Sequence, residues 1–197
     1  MQVKICGITV TSDGTAAVNM GASILGVVLS GGSIRKGSPE LISELKSLGY
    51  TVAAVHTSLD DALDLIGDED YIQLHFRHSA EDVRGVKKHG KKIISVLSVD
   101  SEPELIKEIH AVSNMILFEH KPFIVGEMRK VAPYLDAMAG VAGGIDSGNV
   151  REIMEHGPGI IDVSSSLEYM PGRKSVQKIE EFFREVKFFE KTCRQST

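Results

Sequence analysis

The chain has no tryptophan, only six prolines and only two cysteines among its 197 residues. Cys6 falls in the first apolar run and Cys193 in the last five residues, so a disulfide framework is excluded and a zinc cluster would lack thiolates. Long hydrophobic runs are also missing. No window approaches the roughly 20 apolar residues of a membrane span, and the start, MQVKICGITV, lacks the basic stretch and long apolar core of a signal peptide. A cytoplasmic protein without a membrane partner is therefore expected. Positive charge is in short supply too: 22 Lys and Arg against 27 Asp and Glu give a net charge of -5. That balance argues against a nucleic-acid partner while leaving room for a local anion site.

What the chain does have is a regular series of short apolar runs rich in Val and Ile. They are VKICGI at 3–8, ILGVVL at 24–29, TVAAVH at 51–56, YIQLH at 71–75, KIISVLSV at 92–99, NMILF at 114–118, DAMAGVAG at 136–143 and GIIDVS at 159–164. Continuous apolarity without alternation is what strands of a parallel sheet need when helices cover both faces. Between the runs lie amphipathic patterns. Residues 38–48 place Ser38 at the N-cap, Pro39 at the first helical position, and Leu41, Ile42, Leu45 and Leu48 on one face. Similar patterns predict helices over 79–88, 101–111, 123–132, 147–156 and 175–188, with shorter ones over 13–20 and 59–66.

Eight strands alternating with about eight helices leave roughly 25 residues per unit, enough for a strand, a helix and two short loops. The expectation is an α/β fold, one domain over residues 1–197 arranged as a near-minimal (β/α)8 barrel, with an open doubly wound sheet as the alternative that periodicity cannot separate from it. In a barrel the site is built where the strands end. Those positions carry Cys6, Arg35, His56, His75, Glu119, Gly143, Gly144 and Ser164 to Ser166.

Each has a chemical and a plain structural reading. Cys6 is either a small buried hydrophobe or a base whose thiol is tuned by its surroundings, Lys4 lying on the same side of its strand. Glu119, directly after five apolar residues, is a proton donor if burial raises its pKa, and otherwise a salt-bridged loop residue. The segments AGGIDSGNV and DVSSSLEYMPGRK offer glycines, hydroxyls and backbone amides suited to a phosphate, or merely tight turns. Arg35 and Lys36 suit a phosphate or carboxylate, or are solvated. His75 and His78 lack the spacing of a metal site, and His56 and His120 read as hydrogen-bonded structural histidines. Phe182, Phe183, Phe188 and Phe189 on the last helix either complete the outer layer or extend an interface. The first reading is the simpler, so a monomer is expected and a homodimer is the alternative.

Taken in order, KICGIT at 4–9, SIR at 33–35, QLH at 73–75, ILFE at 116–119, AGGI with NV at 142–150, and DVSSSLE with PG and K at 162–174 resemble phosphoribosylanthranilate isomerase over about 170 residues. The resemblance implies a (β/α)8 barrel that isomerises N-(5'-phosphoribosyl)anthranilate to 1-(o-carboxyphenylamino)-1-deoxyribulose 5-phosphate in tryptophan biosynthesis, without metal or organic cofactor. It implies Cys6 as general base and Glu119 as general acid. It also implies Arg35 and His75 as substrate contacts, and Gly143, Gly144, Ser164 and Ser165 as the phosphate loops. The sequence departs from the family pattern in having Glu119 for an aspartate, HKPFIVGEM for a glycine-rich GGTG segment, and Phe76 and Ser166 for glycines. Those departures keep two alternatives in view: an isomerase or lyase of another phosphorylated sugar, and a catalytically silent phosphosugar-binding homologue.

Overall fold

The computed structural model describes residues 1–195. Eight strands close into one parallel barrel in chain order: β1 (Gln2–Cys6), β2 (Ile24–Val28), β3 (Val52–His56), β4 (Tyr71–Leu74), β5 (Lys92–Ser98), β6 (Met115–Glu119), β7 (Ala139–Ala142) and β8 (Ile160–Val163). Closure comes from pairing of β1 with both β2 and β8. The open-sheet alternative is thereby excluded.

Among the described residues eight α-helices follow the strands: α1 (Thr11–Met20), α2 (Pro39–Ser47), α3 (Leu59–Asp64), α4 (Ala80–Lys87), α5 (Pro103–Val112), α6 (Met128–Val131), α7 (Val150–Glu155) and α8 (Val176–Gln195). Three of them start on a serine cap. The Ser38, Ser58 and Ser79 hydroxyls accept from the backbone N-H three residues on, and Asp82 returns the bond to Ser79 as a capping box. The helix expected over 123–132 is instead a 3-10 turn at Ile124–Glu127, the four residues of α6 and a second 3-10 turn at Ala132–Tyr134. Gly126 inside the segment and Pro133 within its last turn keep it from running as one regular helix. A small antiparallel hairpin, β9 (Glu168–Met170) with β10 (Arg173–Lys174), was not expected.

Two apolar layers result. The larger lies between sheet and helices, and there Ile179, Phe182, Phe183 and Val186 of α8 are buried against the barrel while Phe188 stays exposed. The smaller fills the barrel interior with Ile24, Ala53, Tyr71, Ile94, Met115, Leu117 and Ile160. Nearer the strand ends the inward side chains turn polar: Lys4, Cys6, Gln73, Glu119 and Asp162. The apolar interior is thus a floor, and the polar layer faces a cavity above it.

Candidate active site

The cavity at the C-terminal ends of the strands holds about 700 Å³, and Cys6, Arg35, His75, Glu119, Gly143, Gly144, Ser164 and Ser165 all line it. It is large enough for a phosphorylated, drug-sized ligand.

Cys6 ends β1 almost fully buried. Burial pushes its thiol above the ordinary value, the nearby Asp162 adds to the rise, and the ammonium groups of Lys4 and Lys174 oppose it. Lys4 is itself completely buried. The β1–β8 register sets it opposite Asp162, and its Nζ donates to both carboxylate oxygens at 3.0 Å. Asp162 was not anticipated as a site residue. The signal was present in DVSSS, since an acid closing a buried run is as unusual there as Glu119 is in ILFE.

Glu119 ends β6, half-buried, with Oε2 3.2 Å from His75 Nε2 and Oε1 3.2 Å from Lys121 Nζ. The expectation that burial raises its pKa is reversed. Desolvation does push it up, but His75 and Lys121 together outweigh that and hold the carboxyl below its ordinary value. Behind His75, the side-chain amide nitrogen of Gln73 lies 3.4 Å from Nδ1. An amide N-H toward Nδ1 leaves the imidazole proton on Nε2, directed at Glu119.

Arg35, in the loop after β2, is not a freely solvated charge. Its Nε and Nη2 donate to the two oxygens of Glu168 at 2.8 and 2.9 Å, a bidentate pair that fixes the plane of the guanidinium at the cavity wall. Glu168 also accepts from Lys174 Nζ at 3.1 Å, so the hairpin after β8 is what orients Arg35. Lys36 is exposed and does not line the cavity.

Gly143 and Gly144 follow β7 with φ of 111° and 61°. A Cβ would lie 2.0 Å from His120 O at the first and 2.1 Å from Pro122 O at the second. The pair is therefore required by the chain after β6, which passes directly over it. This need is additional to any ligand and was not foreseen. Ser164 Oγ donates to Cys6 O at 3.1 Å, Ser166 Oγ donates to Ile145 O, and Ser165 is exposed to the cavity at the start of a 3-10 turn.

His56 corrects another expectation. It is fully buried at the end of β3, but among the described residues neither ring nitrogen has a hydrogen-bond partner. Its side chain points away from the cavity, because Val55 and Thr57 on either side are the ones that line it. His120 is half-buried in the loop after β6, and among the described residues no group of three or more His, Cys, Asp or Glu is arranged to hold a metal ion.

A (β/α)8 barrel whose single chain brings a thiol, a carboxylate and two glycine- and serine-bearing loops to one cavity is built as an enzyme that moves protons with its own side chains. Residues 3–185 match the model of the N-(5'phosphoribosyl)anthranilate (PRA) isomerase family, and the chain belongs to that family. The N-(5'-phosphoribosyl)anthranilate isomerase of Thermoplasma volcanium is 39% identical over 189 residues, covering 95% of this chain and 96% of that one. The enzyme of the same name from Sulfurihydrogenibium is 31% identical over 205 residues, covering 95% and 99%. Among solved structures, phosphoribosyl anthranilate isomerase from Thermotoga maritima superposes with a TM-score of 0.82 at 26% identity, covering 95% of this chain and 99% of that one.

Proposed function

We propose that this cavity isomerises N-(5'-phosphoribosyl)anthranilate to 1-(o-carboxyphenylamino)-1-deoxyribulose 5-phosphate, with Cys6 as general base and Glu119 as general acid. Glu119 gives a proton to the ring oxygen of the ribose as the bond from that oxygen to C1' breaks, and the anilino nitrogen's electron pair forms the C1'=N bond. Cys6 takes the proton from C2', and those electrons form the C1'=C2' enol while neutralising the nitrogen. The enol relaxes to the ketose as a proton arrives at C1' and one leaves the 2'-hydroxyl. Every atom of the substrate is retained, and no oxidant or reductant is consumed.

Glu119 must hold a proton to act, whereas in the free cavity His75 and Lys121 keep it ionised. A substrate bearing a phosphate and a carboxylate brings negative charge beside it, which raises the proton affinity of the Glu119–His75 pair. Proton delivery thus belongs to the pair and is coupled to substrate entry. Arg35, its plane fixed by Glu168, is the partner proposed for the anthranilate carboxylate. The phosphate is assigned to the loops of Gly143, Gly144, Ser164 and Ser165, where glycine backbone and hydroxyls supply donors without a cluster of cations.

The observation that carries this reading is that Cys6 and Glu119 line one cavity with both loops. Turnover of freshly prepared phosphoribosylanthranilate tests it, comparing the unmodified chain with Cys6→Ala and Glu119→Gln. Loss of turnover by about 100-fold or more in each folded variant is expected; undiminished turnover in Cys6→Ala would overturn the base. A cytoplasmic monomer is part of the same proposal, supported by the use of Phe182 and Phe183 in covering the barrel. Among the described residues no helix is long and apolar enough to cross a membrane.

A further inference from the structure

The reaction as drawn leaves one buried cation without a role. Lys4 precedes Cys6 by two residues on β1, so both side chains enter the barrel, and Lys4 has no exposed surface. Its contact with Asp162 explains how the charge is tolerated, since a buried ammonium is costly unless paired and hydrogen-bonded. It does not explain why the pair sits beneath the thiol.

Gly26 supplies the second observation. It is the residue of β2 directly opposite Cys6 in the register. A Cβ built on Gly26 would lie 2.8 Å from Cys6 Sγ and 2.8 Å from Lys4 Nζ. The thiol and the ammonium therefore meet in the space that any other residue at Gly26 would fill, within hydrogen-bonding reach of each other. The charges facing Cys6 are Lys4 from its own strand, Asp162 from β8, Lys174 from the hairpin and Arg35 from the loop after β2. Of these, Lys4 is the nearest in the chain and opposes the effect of burial most strongly, while Asp162 reinforces that effect.

We propose, building on Cys6 as the base, that Lys4 is its positioning residue: the ammonium, clamped by Asp162, stabilises the thiolate, and Gly26 leaves the room for the two to meet. A thiol buried this deeply needs such a partner to be deprotonated often enough near neutral pH. Lys4 touches neither substrate nor reacting carbon. Its effect passes through Cys6.

The test is the pH dependence of Cys6 alkylation by iodoacetamide, read by peptide mass mapping so that Cys193 is scored separately. Lys4→Met is expected to move the midpoint up by about one pH unit or more, about tenfold slower alkylation at neutral pH, with kcat falling in parallel. Asp162→Asn is expected to move it down. A purely structural role for the pair would shift both variants the same way or neither, and either result overturns the proposal, as does an unchanged midpoint in Lys4→Met. Since Lys4→Met leaves the Asp162 carboxylate without its cation, the double variant Lys4→Met, Asp162→Asn keeps the site neutral. It must still alkylate more slowly than Asp162→Asn alone. The base assignment is judged separately: turnover retained in Cys6→Ala would remove it while leaving the effect of Lys4 on the thiol in place.

Discussion

His75 Nε2 stands 3.2 Å from Glu119 Oε2, and this contact does more than any other to keep the proposed acid ionised in the free cavity. A general acid works only while protonated, so turnover falls as pH rises through its pKa. Removing His75 takes away both the hydrogen bond and the charge interaction that lower Glu119, and its pKa rises. In His75→Ala the alkaline limb of the kcat/KM profile is therefore expected to move to higher pH, even though the maximal rate falls. A limb that stays in place would show that Glu119 is not the group it reports.

The two glycines after β7 make a sharper prediction. In Gly144→Ala the new methyl would meet Pro122 O at 2.1 Å on a backbone held at φ of 61°, and in Gly143→Ala it would meet His120 O at 2.0 Å. Each variant is expected to lose more than about 2 kcal/mol of stability and to displace the chain after β6, taking Lys121 away from Glu119. Gly157→Ala is the control. Its φ is also positive, at 71°, but nothing lies within 4 Å of the new methyl, so only the backbone strain of about 1 kcal/mol is expected. Thermal unfolding of the three variants together with their kcat/KM values separates crowding from strain.

The buried His56 should make the protein sensitive to mild acid. Burial holds its pKa below the ordinary value, and the same is true of His78. The unfolded chain, with histidine near pH 6.5, then binds protons that the folded chain does not. Stability is therefore complete above about pH 7 and declines as pH falls through the unfolded value toward the depressed folded one, by at most about 1.4 kcal/mol per pH unit for each histidine. Urea unfolding at pH 7 and pH 5 measures the slope. His56→Leu, which removes two unpartnered nitrogens, is expected to flatten it at little cost at pH 7.

The barrel was legible because its signals are local. Apolar runs bounded by serine caps report strands and helix starts without reference to the rest of the chain, and Ser38, Ser58 and Ser79 cap as serines should. Candidate site residues were legible for a related reason, since a polar side chain ending an apolar run in a barrel can only point at the cavity or its rim. What could not be read was pairing between strands distant in sequence. That Lys121 and His75 together outweigh the burial of Glu119, that Glu168 engages Arg35 across 133 residues, and that Lys4 meets Asp162 across 158, all follow from register and loop path. The hairpin at Glu168–Lys174 escaped for a different reason: its Pro171-Gly172 turn was visible, but its strands are too short to carry a periodic pattern.

The length of Glu119 leads to the last prediction. The family resemblance sets an aspartate at this position, so Glu119→Asp restores the ordinary residue of the motif. It also withdraws the carboxylate by about 1.5 Å, the length of one carbon–carbon bond. Both contacts of Glu119 are made at 3.2 Å, one to a histidine that follows β4 and one to a lysine two residues along its own chain. Neither partner follows the shortened side chain, because His75 is held from behind by Gln73 and the path of Lys121 is fixed by the chain crossing Gly143 and Gly144. The HKPF segment and the longer acid are therefore matched to each other. Glu119→Asp is expected to fold normally and to lose about 10- to 100-fold in kcat, with a smaller change in KM, since displacement on the scale of 1 Å acts mainly on proton transfer in the transition state. An aspartate variant as fast as the unmodified chain would show that the proton reaches the ring oxygen by another route.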